Sequence, residues 1–149
     1  MSEPIVVDRG GSQLFGERWS GGDRLLVLLH AGVADRRSWR EVTPEFEGLA
    51  TVVTYDRRGH GDSDPSLAPF SHVDDLRAVL DEVEADTAWL VGSSMGGGLA
   101  LDAALVAPER VEGLVLLARS EWGSRTRVRY RDPALRRAHL SGDRGEGCR

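Results

Sequence analysis

Lysine is absent from this 149-residue sequence, and cysteine occurs once, at Cys148, next to the last residue. A single cysteine excludes a disulfide framework or a cysteine-ligated metal site within one chain. No apolar run approaches the length that a membrane-spanning helix needs. The segment from Met1 to Pro4 lacks the basic start and apolar core of a secretory signal peptide. We therefore expect a cytoplasmic protein without a membrane partner.

Acidic and basic residues are distributed unevenly along the chain, although the net charge is only −5. Residues 1–118 hold ten arginines and twenty acidic residues, a net charge of −10, whereas residues 119–149 hold nine arginines and four acidic residues, a net charge of +5. A basic tail is one way to bind nucleic acid. This tail lacks an aromatic stacking repeat, and the acidic region before it repels phosphate, so we expect no nucleic-acid partner.

Short apolar runs alternate with amphipathic segments along most of the chain, after a hairpin pattern around Gly10 and Gly11. Continuous apolar runs are typical of strands that are covered on both faces of a parallel sheet. Strands are predicted at 5–7, 13–18, 25–29, 49–55, 87–91 and 111–117, and helices at 36–47, 71–84 and 94–107. This order predicts an α/β fold with a mostly parallel sheet and helices on both faces.

The segment GSSMG at 92–96 matches the pattern G-x-S-x-G, with Ser94 at its centre. An apolar run at 88–91 precedes it and a helical pattern follows it, which is the setting of a nucleophile elbow. In that turn the serine hydroxyl rises above the sheet edge, and the crowded backbone requires small residues at Gly92 and Gly96. Gly-Ser clusters also occur in ordinary turns and linkers, and the motif alone does not separate the two interpretations.

Two other polar segments follow predicted strands, HAG at 30–32 and DRRGHGDSD at 56–64. Active sites of parallel α/β sheets lie beyond the carboxyl ends of the strands. Both segments and Ser94 are therefore predicted to meet at one end of the sheet.

Four segments in this order resemble the α/β-hydrolase superfamily. They are HAG at 30–32, YDRRGHGDS at 55–63, the elbow around Ser94, and PERV at 108–111 before the last predicted strand. The resemblance spans nearly all of residues 1–118 and implies an α/β-hydrolase fold, truncated here after about six strands.

The resemblance also implies roles for particular residues. Ser94 is the expected nucleophile, and the backbone amides of Met95 and Gly32 are the expected oxyanion hole. Ala31 departs from the family pattern, in which His-Gly is commoner in this loop. No cofactor or metal is implied, and the expected partner is a small ester-like molecule.

Five other polar residues invite a catalytic interpretation that we do not favour. The resemblance makes His30 a structural residue of its loop, and Asp56 and His60 are expected to shape theirs by hydrogen-bonding to backbone amides. His72 lies near a helix start and is expected to be exposed. Asp102 falls on the helix after the elbow, too far along its axis to share a site with Ser94.

The acid and base of a catalytic triad are not identified. A serine needs an adjacent base, and the base an orienting acid, which the family supplies in the order Ser, Asp or Glu, His. Asp132 and His139 are the only acid–histidine pair after Ser94 in plausible order. They are seven residues apart near a predicted short helix at 134–140, which does not match the family arrangement.

The chain changes character at Arg119. We expect residues 1–118 to be the N-terminal part of an α/β-hydrolase domain. Residues 119–149 form an arginine-rich tail, expected to be poorly structured or a short helix. Because shifted frames of GC-rich genes become arginine-rich, we interpret this tail as a frameshift or a truncation.

Two functions of different class remain open. The first is a serine hydrolase that acts on a small carboxylic ester, thioester or lactone through an acyl-enzyme at Ser94. A serine at this position argues against the dehalogenase and epoxide hydrolase branches, which use aspartate. The second is a catalytically incomplete fragment that acts at most as a binding module. Its unpaired edge at the strand ending at Leu117 would favour self-association.

DNA sequencing tests the frameshift hypothesis directly. The gene is read through codons 110–149 and beyond the stop, in all three frames. We expect another frame to continue after Leu117 into a strand ending in Asp and a later strand followed by His. If no frame continues in this way, the hypothesis is wrong.

Overall fold

The computed structural model describes residues 1–66, residues 68–117 and the backbone of residues 127–129. The predicted acid–histidine pair, Asp132 and His139, and the predicted short helix at 134–140 lie outside the described residues. The expectations for the tail therefore stay predictions, apart from its three described residues.

One sheet organises the described part of the chain. Its strands are β1 (Ser2–Asp8), β2 (Gln13–Trp19), β3 (Leu25–Leu29), β4 (Thr51–Tyr55), β5 (Ala88–Ser93), β6 (Val111–Leu117) and β7 (Arg127–Arg129). They lie in the order β1-β2-β4-β3-β5-β6-β7. The central strands β4, β3, β5 and β6 are parallel, β2 and β7 pair antiparallel with the outer central strands β4 and β6, and β1 pairs antiparallel with β2. The predicted α/β class with a mostly parallel sheet is confirmed.

The predicted hairpin connects β1 and β2. Gly10 and Gly11 have φ angles of 67° and 93°, which L side chains rarely adopt. Asp8 stabilises the turn, because its Oδ1 accepts a hydrogen bond of 2.9 Å from the Gly10 amide. The seven paired positions from Ser2 to Asp8 then set the register of both strands.

Two α-helices are present in the described residues, α1 (His72–Glu82) and α2 (Met95–Val106). Ser71 caps α1 as its sequence suggested, with Oγ accepting a hydrogen bond of 3.2 Å from the Asp74 amide. Neither helix is long and apolar enough to cross a membrane.

The prediction of a single helix at 36–47 is wrong. The chain forms two 3-10 helices instead, Arg36–Trp39 and Thr43–Phe46. Asp35 caps the first, and Pro44 opens the second. Because proline has no N–H to continue a helical ladder, it starts a new turn better than it extends an old one.

The sheet buries a different layer on each face. Both α-helices pack on the first face, over a cluster that includes Val27, Val53, Leu76, Leu80, Leu90 and Leu99. On the opposite face Leu28, Val52 and Val91 pack with Trp39 of the first 3-10 helix. Within the described residues, short 3-10 helices rather than α-helices cover this second face.

The outer edge of β6 was expected to be unpaired, but part of it pairs with another strand. Residues Leu114 to Leu116 pair with β7, in the register Leu114–Arg129 to Leu116–Arg127. The prediction that this edge is unpaired is therefore wrong for these residues, since residues 127–129 pair with them. Self-association of the chain stays a prediction.

A buried carboxylate connects three parts of the fold. Asp75 on α1 is 1% exposed and accepts hydrogen bonds from Arg9 Nε at 2.9 Å and from Arg58 Nε at 2.7 Å. Arg9 belongs to the β1–β2 turn and Arg58 to the loop after β4. Removing the charge of Asp75 would leave two arginines without their shared partner.

Asp75→Asn should lower the free energy of unfolding by about 3 kcal/mol, because Arg58 stays buried without its counter-ion. Urea denaturation followed by circular dichroism measures this change. Asp74→Asn is the matched control, since that side chain is 56% exposed and its pair with Arg77 spans 3.8 Å. The control should change stability by about 0.5 kcal/mol or less. Equal effects from both variants would contradict a structural role for the buried ion pairs.

Candidate active site

Ser94 lies on a strained turn between β5 and α2. Its φ of 51° and ψ of −114° place a non-glycine residue in a sparsely populated region of backbone space. The turn is held because the Ser94 amide donates to Leu117 O at 2.9 Å and the Gly98 amide donates to Ser94 O at 3.1 Å. Ser94 is exposed, and its hydroxyl does not cap the helix. The hydroxyl is therefore presented to solvent at the carboxyl end of the sheet.

Close backbone contacts explain the two glycines of the motif. A Cβ at Gly92 would lie 2.5 Å from the Gly96 carbonyl carbon, and a Cβ at Gly96 would lie 2.6 Å from the Leu29 carbonyl carbon. Contacts under 3.0 Å essentially never occur for real Cβ atoms. The prediction that small residues are required at both positions is confirmed.

Gly32 and Met95 are brought together in space. A Cβ at Gly32 would clash with Met95 Sδ and lie 3.2 Å from Met95 Cγ. Met95 is the first residue of α2 and its side chain is 57% exposed. Residues predicted from two distant segments therefore meet beside Ser94, although their roles as hydrogen-bond donors stay a prediction.

His30 is fully buried and has a partner at each ring nitrogen. Nδ1 lies 2.7 Å from Ala31 O, and Nε2 accepts a hydrogen bond of 3.0 Å from the Arg57 amide. Since a carbonyl oxygen only accepts, Nδ1 carries the proton and the ring is neutral. Burial lowers the pKa of His30, which agrees with this assignment. Because the lone pair on Nε2 already accepts the Arg57 amide and the ring is buried, His30 does not offer a base to Ser94, and the expected structural role fits.

The hydrogen bond from His30 also orients Gly32. Ala31 O and the Gly32 N–H belong to the same planar peptide group and point in opposite directions. Fixing Ala31 O therefore fixes the direction of the Gly32 N–H. Ala31 O also accepts from the Ala34 amide at 3.1 Å.

His60 occupies the adjacent loop with its ring 4.9 Å from the His30 ring, centroid to centroid. Nδ1 lies 3.0 Å from Arg58 O, and Nε2 lies 3.0 Å from Gly32 O. His60 contacts the backbone as expected, but its partners are two carbonyl oxygens rather than the backbone amides that were expected.

Asp56 is buried and shapes the same loop. Its carboxylate accepts hydrogen bonds from the Arg36 amide at 2.7 Å and the Asp62 amide at 2.9 Å, and it also binds the Arg36 guanidinium. Gly61 has a φ of 51°, and a Cβ there would lie 2.7 Å from Asp56 Oδ1. The carboxylate is thus fully used in holding the loop, as expected.

Two further sequence expectations have different outcomes. His72 was expected to be exposed, but it is half-buried at the start of α1 and packs edge-on against Phe70. Burial lowers the pKa of its imidazole, and nearby Arg57 lowers it further. Asp102 is exposed on α2, eight residues or about 12 Å along the helix from Ser94. It takes no part in the site.

Sequence reasoning missed Arg57, which is 2% exposed and donates from Nη2 to His30 O at 3.1 Å. Its amide also fixes the tautomer of His30. Nothing in the spacing of the motif distinguishes Arg57 from the adjacent Arg58, which binds Asp75 instead. Only the direction of each side chain from the loop separates their roles.

No base for Ser94 is found in residues 1–66 and 68–117. Among the histidines of this part, His30 and His60 contact backbone groups through both nitrogens. His72 Nδ1 is buried without a hydrogen-bond partner in these residues, so it does not bond to the Ser94 hydroxyl either. In the same residues, no three side chains of His, Cys, Asp or Glu come together as a metal site.

Residues 24–134 match the family model described as the alpha/beta hydrolase fold. The chain belongs to the α/β-hydrolase family. The match begins just before β3 and includes all three segments at the carboxyl end of the sheet. The fold and the motifs around Ser94 are thus both accounted for by membership of the α/β-hydrolase family.

Individual α/β hydrolases agree with this assignment. A 2-hydroxymuconate semialdehyde hydrolase from Pseudomonas sp. (strain CF600) is 40% identical over 105 residues, covering 66% of this chain and 37% of that protein. A pimeloyl-[acyl-carrier protein] methyl ester esterase from Edwardsiella ictaluri (strain 93-146) is 35% identical over 109 residues, covering 73% and 42%. The chain therefore spans about two fifths of the length of these relatives.

A solved structure is similar over the same region. Est816, described as an N-acyl homoserine lactone degrading enzyme, superposes with a TM-score of 0.71 and 33% identity. The alignment covers 76% of this chain and 45% of Est816.

Gly96→Ala should lower the free energy of unfolding by at least about 2 kcal/mol, because the new methyl group meets the backbone of β3 rather than a movable side chain. Gly98→Ala is the matched control on the same helix, since a Cβ there has nothing within 4 Å. This control should be neutral or stabilise the protein by up to about 1 kcal/mol. Calorimetric unfolding of both variants measures the difference. A stable Gly96→Ala variant would show that the elbow is not packed this tightly.

Proposed function

We propose that this chain carries the nucleophile and the oxyanion hole of a serine hydrolase for small carboxylic esters, thioesters or lactones. The observation that supports this most is the conformation of Ser94. A strained, exposed serine stands at the carboxyl end of a parallel sheet, next to Gly32 and at the N-terminus of α2. Strain of this kind persists where the surrounding structure imposes it, and it clusters at functional sites.

The proposed reaction begins with attack of Ser94 Oγ on the acyl carbon. The hydroxyl proton passes to a base, and the carbonyl π electrons move onto oxygen. The resulting oxyanion accepts hydrogen bonds from the amides of Met95 and Gly32. The tetrahedral intermediate then expels the alcohol or thiol, which takes up the proton and leaves an acyl-enzyme. Water hydrolyses the acyl-enzyme by the same steps and restores the Ser94 hydroxyl.

The helix position of Met95 favours its proposed role. Amides in the first turn of an α-helix have no carbonyl partner within the helix, and the helix dipole adds positive potential there. Loss of one oxyanion donor typically costs about 3 kcal/mol of transition-state stabilisation. Gly32 would supply the second donor from the loop after β3, with its direction set by the His30 bond to Ala31 O.

The substrate class is supported by the relatives and by the nucleophile. Relatives include a methyl ester esterase and an enzyme described as degrading an N-acyl homoserine lactone. Serine is suited to forming an acyl-enzyme, whereas the epoxide hydrolase and dehalogenase branches use aspartate at the elbow. The chemistry requires side chains and water alone, so the proposal includes no cofactor.

The second candidate is a catalytically incomplete chain that binds ester-like molecules without turning them over. It is favoured by one observation, the lack of a base for Ser94 in residues 1–66 and 68–117. Such a chain would retain the elbow and the proposed oxyanion hole. It would react once with an activated ester or not at all.

Hydrolysis of p-nitrophenyl acetate by the full chain tests the proposal. We expect release of p-nitrophenol above the buffer rate, and we expect Ser94→Ala to reduce it by at least about 10³-fold. Ser93→Ala is the matched control, because it removes the neighbouring hydroxyl and should keep the wild-type rate.

The kinetic course then separates the two candidates. Continuous turnover that depends on Ser94 requires a base and supports the hydrolase. One equivalent of p-nitrophenol without turnover indicates an incomplete chain that still has a reactive serine. Hydrolysis that survives Ser94→Ala would show that Ser94 is not the nucleophile.

A further inference from the structure

The His60 ring lies between two backbone carbonyl groups from different loops. Nδ1 is 3.0 Å from Arg58 O in its own loop, and Nε2 is 3.0 Å from Gly32 O in the loop after β3. The contact with Gly32 joins residues 28 positions apart. His60 therefore connects the loop after β4 to the residue proposed as an oxyanion donor.

Gly32 is held on both sides by different histidines. His30 contacts Ala31 O and so orients the peptide group before Gly32, which contains its N–H. His60 contacts Gly32 O and so orients the peptide group after it. A glycine without such contacts has access to more backbone conformations than any other residue, so both contacts are needed to define its geometry.

The loop that carries His60 is itself well anchored. The His60 amide donates to Arg57 O at 2.9 Å, and the Ser63 amide donates to His60 O at 3.0 Å. Asp56 holds the next part of the loop through the Asp62 amide at 2.9 Å. The imidazole thus projects from a fixed backbone and can transmit that rigidity to Gly32.

We propose that His60 is a positioning residue that holds Gly32 in the geometry required for its amide to stabilise an oxyanion. This inference rests on the proposed function, since it specifies how one donor of the oxyanion hole is kept in place. His60 does not contact the substrate or exchange a proton with it. Its effect passes through the hydrogen bond from Nε2–H to Gly32 O.

The proposal has a specific protonation requirement. A carbonyl oxygen only accepts hydrogen bonds, so the contact with Gly32 needs a proton on Nε2 of His60. A neutral ring has one N–H and donates to only one of the two carbonyls. Protonated on Nε2 it bonds Gly32 O and leaves Nδ1 facing Arg58 O, whereas a ring protonated on both nitrogens donates to both. His30 differs because one of its partners is an amide, so its proton is on Nδ1 and its lone pair on Nε2.

Nuclear magnetic resonance of the full-length chain tests the contact without any activity. Long-range ¹⁵N–¹H spectra of the ring nitrogens should show His60 protonated on Nε2 and His30 protonated on Nδ1. The Gly32 amide resonance should shift in His60→Phe and return towards wild type in His60→Gln, which restores an N–H donor. His60 found without a proton on Nε2, or a Gly32 resonance unchanged in His60→Phe, would overturn the proposal.

Acylation kinetics test the consequence for the site. In stopped-flow burst experiments with p-nitrophenyl acetate, His60→Phe should slow the acylation rate constant by about 10- to 100-fold, as expected for a donor displaced by a fraction of an ångström to 1 Å. The apparent dissociation constant for the ester should change by less than about twofold. His60→Gln should recover most of the lost rate. His72→Phe is the matched control, since it makes the same change in a histidine without a contact to Gly32.

The outcomes separate this inference from the proposed function. If Ser94 forms no acyl-enzyme in any variant, the proposed function fails, while the nuclear magnetic resonance result still decides whether His60 holds Gly32. Acylation at the wild-type rate in folded His60→Phe would overturn the positioning role. So would an equal loss of rate in His60→Phe and His72→Phe, because that result indicates a general loss of structure.

Discussion

The close approach of α2 to the end of β3 is the constraint on which the site depends. Gly96 brings the first turn of the helix against the backbone of Leu29 and His30, and Gly92 lets the helix meet the end of β5. A side chain at either position would push the helix away. The close approach goes together with the strained conformation of Ser94, and it brings Met95 next to Gly32.

The loops around this contact are held by buried polar side chains that hydrogen-bond to backbone groups, although Arg57 Nε has no hydrogen-bond partner among the described residues. His30, Asp56 and Arg57 are all buried, and each bonds to backbone atoms of a neighbouring loop. An unpaired polar group in such a place would cost more than the hydrogen bond itself gains. The network therefore favours one arrangement of the loops, and it fixes the directions of the peptide groups around Gly32.

Much of the fold and part of the site could be predicted from the sequence. Apolar runs and the Gly10–Gly11 turn located the first six strands to within a few residues, and Ser71 marked the start of α1. The segment at 36–47 was misjudged, because its apolar spacing is helical while Pro44 divides it into two 3-10 turns. The strand at 127–129 was missed, since an arginine-rich segment has little strand signal until an open edge provides hydrogen-bond partners.

The sequence by itself determined the α/β order, the glycines of the elbow and the identity of the nucleophile candidate, because these depend on local spacing and backbone freedom. Only the tertiary structure decided which polar side chains support the site. The sequence does not distinguish His30 from His60 or Arg57 from Arg58. In the structure His30 contacts Ala31 O and His60 contacts Gly32 O, while Arg57 bonds to His30 O and Arg58 to Asp75. Those partners lie far away in the chain or on another loop, so their choice follows from how the strands bring the loops together.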